Sequence, residues 1–172
     1  MINDVDSFWR SRRGGAVDRR VRTSTGSVVQ PRCVQSAYLL VAARPDDDLA
    51  SRFDPAEVTR ITGITPSRTQ RAGSGVGSQS AWAVDISSRA EFGTDAVLGE
   101  LLDIIEPYAD RLRHACESLG LVAGINVFIE LTSDRDAANH LVLAFPELQL
   151  SAETLRRLSD LGLWLSCHQF AS

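Results

Sequence analysis

A chain of 172 residues, 44% hydrophobic and 23% charged, has the size and make-up of one globular domain that can bury a core without disulfide or metal staples. Its formal net charge of −4 excludes a generally basic nucleic-acid-binding surface. No apolar run approaches the roughly 20 residues that span a bilayer, and residues 1–13 lack the hydrophobic run of a signal peptide, so no membrane association is expected.

Residues 1–32 stand apart. They hold seven arginines against three aspartates, a Gly14-Gly15 pair and a Thr/Ser/Gly stretch from Thr23 to Ser27. With little apolar periodicity, this segment reads as an Arg-rich mobile arm, and residues 33–172 as the folded domain. Arg10, Arg12, Arg13, Arg19, Arg20 and Arg22, with Trp9 nearby, form a candidate nucleic-acid contact, because guanidinium groups pair with phosphates and an indole stacks on bases. A tail without a partner is the favoured reading. All 18 basic residues of the chain are arginine, which the bias of a GC-rich genome explains better than a need for two-pronged hydrogen bonding.

From Cys33 onward Ala37, Leu39, Val41 and Ala43 alternate with Tyr38, Leu40 and Ala42, predicting a strand. Asp46-Asp47-Asp48 then suits a solvated turn; three adjacent carboxylates in extended chain diverge and do not enclose a cation. At Asp54-Pro55-Ala56-Glu57 a short helix opens. Asp54 is its cap, Pro55 fits the first helical position, Glu57 completes a capping box, and Gly63 ends it. Residues 71–80, with Gly73, Gly75 and Gly77, read as a flexible loop. They lack the Lys-Ser/Thr of a phosphate loop and precede a strand instead of a helix.

Ala81–Ser87 is the next predicted strand, with Trp82, Val84 and Ile86 on one face. Apolar residues at steps of three and four predict a long helix over Thr94–Leu119, which Pro107 must kink or split and Gly120 ends. In the following strand Ala123, Ile125, Val127, Ile129 and Leu131 alternate with Gly124, Asn126, Phe128 and Glu130. The polar run Ser133–Asn139 leads to a short strand at His140–Phe145. A second short helix covers Ser151–Leu161, capped by Ser151 and stopped by Gly162, and a last strand ends at Phe170. The order β-α-β-α-β-β-α-β implies a single α+β domain, a mostly antiparallel or mixed sheet with helices packed on one face.

Several of these residues together resemble a known family. They are Asp54-Pro55-Ala56-Glu57-Val58 leading to Gly63-Ile64-Thr65-Pro66, then Gly73, Trp82, Leu101-Leu102 and Pro107, and Leu150-Ser151-Ala152-Glu153 leading to Leu161-Gly162. Over Val34–Phe170 the chain resembles the bacterial domain-of-unknown-function family 4279. The resemblance implies a bacterial origin and carries no catalytic or ligand residue.

Function therefore rests on side chains. Cys33, Cys116 and Cys167 are odd in number, far apart and set among apolar neighbours, so they read as buried small hydrophobes of a protein in a reducing cytoplasm. No cofactor or metal is called for, and no nucleophile elbow is present. If helices cover the aliphatic face of the sheet, the other face presents Tyr38, Phe128, Glu130, His140, Trp164, His168 and Phe170. Exposed aromatic surface marks partner sites. The leading expectation is a non-enzymatic interaction module whose face, through Tyr38, Phe128, Trp164, His168 and Phe170, binds an unknown protein partner or a second copy. An immunity or accessory role is compatible with it. Burial of the face by the arm or by residues 71–80 is an equal alternative, and a ligand or catalytic pocket around Glu130, His140 and His168 is a third.

Overall fold

The computed structural model describes residues 32–44, 52–73, 79–86, 93–132, 134–135, 141–142 and 148–171. A twelve-residue strand, β1 (Arg32–Ala43), runs through the middle of a five-stranded sheet. It pairs antiparallel with β3 (Ala81–Asp85) on one side and with β4 (Leu121–Thr132) on the other. The short β2 (Arg68–Gln70) lies outside β3, and β7 (Trp164–Ala171) runs parallel to β4 at the opposite edge. This is a single-domain α+β fold with a mixed sheet, as the pattern of elements implies.

Among the described residues four α-helices pack over one face. These are α1 (Pro55–Thr62), α2 (Thr94–Ile105), α3 (Ala109–Leu119) and α4 (Ala152–Asp160). Their apolar stripes meet the aliphatic side of the sheet: Leu98, Leu101, Leu102 and Ile105 of α2 are buried against Leu39, Val41, Ile125, Val127 and Ile129. Each such side chain, fully buried, contributes about 1.5–3 kcal/mol of hydrophobic stabilisation. Trp82 is fully buried in the same cluster, and its indole Nε1 donates to Thr59 Oγ1 at 3.0 Å, which ties β3 to α1.

Local chemistry fixes the helix ends. Asp54 Oδ1 accepts from the Ala56 amide and Ser151 Oγ from the Thr154 amide, satisfying donors that a helix start leaves open. Pro107, which has no amide hydrogen to give, stops α2 at Ile105. A single 3-10 turn over Glu106–Tyr108 joins it to α3. Glycines with positive φ follow α1, α3 and α4 at Gly63, Gly120 and Gly162.

One expectation needs correction. Glu57 does not close a capping box but turns to Arg60, 2.8 Å away, while Asp54 also takes Arg71 at 2.9 Å. Of the strand expected over His140–Phe145 the described residues include β6 (Leu141–Val142), which pairs with β5 (Asp134–Arg135) in a separate two-stranded sheet, and its other positions lie outside the described residues. And β2, three residues long, was too short to show alternation in sequence.

The helix layer is pinned to itself by charge. Arg157 of α4 reaches Glu106 through Nε at 2.6 Å and Nη2 at 2.8 Å, and Nη2 also meets Asp103 at 2.6 Å. The two-pronged hydrogen bond from Arg157 holds the Glu106 carboxyl below its usual range. Asp95, at the start of α2, accepts from the Ser151 amide at 2.8 Å, and this backbone bond likewise lowers its pKa.

Candidate functional site

Strand alternation places Tyr38 and Leu40 of β1, Ala81 and Ala83 of β3, Phe128 of β4 and their neighbours opposite the helices, where they form a second, smaller cluster. Register fixes the rows of this face. Leu40 lies opposite Ala83 and Gly124, and Gly124 opposite Trp164. Tyr38 is opposite Asp85 and Asn126, with Asn126 opposite Ser166; then come Phe128 beside His168 and Glu130 beside Phe170. The faces are thus arranged as the alternation implied.

The rings stand nearly parallel in a row across three strands. Tyr38 and Phe128 have centroids 5.6 Å apart at 16°, Phe128 and His168 5.0 Å at 14°, and Phe128 and Phe170 5.7 Å at 7°. Phe128 and His168 are register partners on adjacent strands, about 4.7–4.9 Å apart, while Tyr38–Phe128 and Phe128–Phe170 are diagonal neighbours within reach of aromatic rings. Ser166 Oγ lies 3.1 Å from His168 Nε2 and fixes the imidazole in the row. At the far end the Arg68 guanidinium sits 5.6 Å from the Tyr38 ring centroid and pairs with Asp85 at 2.7 Å.

The row is closed at one end and open at the other. Tyr38 is only 4% exposed, so of the five residues expected to offer docking surface it braces the row from beneath. Trp164 and Phe170, both on the edge strand β7, are 39% and 36% exposed. Trp164 lies flat on β4 because its neighbour there is Gly124; a Cβ at that position would run into the indole. This is the one glycine of the face that packing demands, and its signal was a glycine inside a strand opposite an aromatic. Asn126, one row along, is 6% exposed and its Nδ2 has no hydrogen-bond partner among the described residues.

Of the pocket expected around Glu130, His140 and His168, the described residues include only Glu130 and His168. Glu130 is exposed and sits diagonally from His168, and His140 lies outside the described residues. The arm arginines Arg10, Arg12, Arg13, Arg19, Arg20 and Arg22, the Asp46-Asp47-Asp48 turn and the glycines Gly75 and Gly77 also lie outside them. Among the described residues, no three His, Cys, Asp or Glu side chains gather as metal ligands would, and no helix is long and apolar enough to cross a membrane. Cys116 is unsuited to nucleophilic work: burial, with Glu117 adding to it, pushes its thiol up to about 11. Burial raises Cys167 too.

A cleft of about 630 Å³ escaped the sequence reading. It opens where α3 ends and β4 and β7 begin, between Arg44, Leu112, Glu117, Leu163 and Trp164. Trp164 therefore borders both the cleft and the ring face. No curated protein and no solved structure matches the chain significantly. The family model described as a domain of unknown function, DUF4279, matches residues 36–171, nearly the whole described domain, and the chain belongs to that family.

Proposed function

We propose that this protein is a non-enzymatic interaction module whose ring-bearing sheet face meets a protein partner. The observation that carries the reading is the row of stacked rings that ends at an edge strand with Trp164 and Phe170 exposed. Aromatic side chains supply large contact area at small entropic cost, and clustered exposed rings are favoured anchors in protein interfaces. The row is already ordered by stacking and by the Ser166–His168 bond, so a partner would meet a preformed surface.

Three free cysteines, of which Cys33 is buried, support a reducing compartment, and the reading places the protein in a bacterial cytoplasm. The test is a protein with both Trp164→Ser and Phe170→Ser. Both positions are solvent-facing, so the variant is expected to keep its cooperative melt while losing partner capture. Capture that survives the double change would remove the face from the reading.

A further inference from the structure

We infer that the cleft where α3 ends binds a small zwitterion with an apolar side chain, a free amino acid or a dipeptide. This goes beyond the docking reading and does not depend on it, although Trp164 borders both surfaces. Three junctions of the chain meet here. Ala43 lies opposite Leu121, so Arg44 leaves β1 beside the Gly120 turn that ends α3. Leu163 and Trp164 follow Gly162 directly behind α4, and Trp164 lies opposite Gly124 of β4. On α3, Leu112 and Cys116 are one four-residue step and Arg113 and Glu117 the next. An apolar row and a charged row therefore run side by side along the wall.

The apolar row sets what the middle of a ligand must be. Leu112, Leu121, Leu163 and the Trp164 indole line the interior, and the Cys116 thiol, which burial keeps protonated, adds no charge. The volume of about 630 Å³ is that of a small-molecule site. Charge sets the ends. Arg113 is already committed: Nη1 pairs with Asp110 at 3.1 Å and Nη2 donates to the Asp160 carbonyl at 3.2 Å, offsetting the negative end of α4. Arg44 and Glu117 both line the cleft and make no ion pair among the described residues. Glu117 stands in the last turn of α3, where the negative end of the helix dipole adds to its charge. A simple anion on Arg44 would be repelled by Glu117 and the helix end, and a simple cation on Glu117 would be repelled by Arg44. A molecule with a carboxylate for Arg44 and an ammonium for Glu117 satisfies both, with its apolar side chain against the leucines and Trp164.

Isothermal titration calorimetry of the full chain tests this with four probes. Phenylalanine and leucylphenylalanine carry the same two charged ends at different spacings and so distinguish an amino acid from a dipeptide. Hydrocinnamate lacks the ammonium, and phenethylamine lacks the carboxylate. At least one zwitterion should bind saturably, about tenfold more tightly than either singly charged analogue. Arg44→Gln and Glu117→Gln, both at exposed positions, should keep the wild-type melt and each weaken that binding about tenfold. Arg60→Gln, outside the cleft, should bind as the wild type does.

No saturable heat from either zwitterion up to about 10 mM overturns the inference. So does an analogue with one charge that binds as tightly as the zwitterions, or wild-type affinity in both cleft variants. Partner capture through Trp164 and Phe170 is read in a separate assay, so the cleft can fail while the docking reading stands, and the reverse.

Discussion

The two faces of the sheet are built from the same strands, residue by residue, yet do different work. On the helix side Leu39, Ile125 and Ile129 are wholly buried, and their partners come from α2 and α3. On the ring side Tyr38 and Ala83 are as deeply buried, but toward β7 the surface opens to Trp164 and Phe170. One face therefore sets stability. The other leaves part of its apolar surface exposed at Trp164 and Phe170. A polar group can persist at such a seam, as does the Asn126 nitrogen, which has no hydrogen-bond partner among the described residues.

Substitutions on each side should separate these roles. The largest effect is expected from Trp82→Ala, which empties a fully buried site and removes the hydrogen bond to Thr59; urea unfolding should show a loss of about 3–5 kcal/mol. Gly124→Ala comes next. Its Cβ must displace the Trp164 indole, at a cost of about 1–3 kcal/mol, and the indole emission should shift to the red. Combining it with Trp164→Ala should recover most of that loss, which a purely backbone effect of the glycine would not allow.

A smaller change, about 0.5–1 kcal/mol near neutral pH, is expected from Glu106→Gln, since the Arg157 pair is partly exposed and screened. Because the folded state lowers the Glu106 pKa, its contribution is present above the ordinary carboxylate value of about 4.3. It is lost as pH falls through the lowered folded value, so the stability curves of wild type and variant should converge in acid. The smallest effect belongs to Phe170→Ser, about 0.5 kcal/mol from the outer stacking against Phe128 and His168, measured by thermal melting. A large loss there would mean that the ring face stabilises the fold, and the contrast between the faces would fail.

Much of the fold was legible because it is written in short-range rules. Asp54, Ser151 and Pro107 each act within a turn of their own position, and alternation along β4 and β7 assigned the faces. Pairing was not legible. That β7 lies parallel to β4 depends on where a distant crossover returns, and β2 is too brief to carry a period. The site was half readable for the same reason. Its residue types followed from alternation, whereas the burial of Tyr38, the stacking of His168 on Phe128 and the match of Gly124 to Trp164 arise only once register sets strands side by side. The Arg157 clamp, which joins residues about fifty positions apart, left no local mark at all.

The central position of β1 has a consequence for synthesis. Arg32 pairs with Thr132, and Ala42 with Ala81 and Val122, so one edge of this strand stays bare until β3 is made and the other until β4 is. The sheet cannot be completed before β4 arrives, and its pairing with β1 closes a loop of about eighty residues at the least. Until then one edge of a twelve-residue strand rich in apolar side chains is open to any other nascent chain.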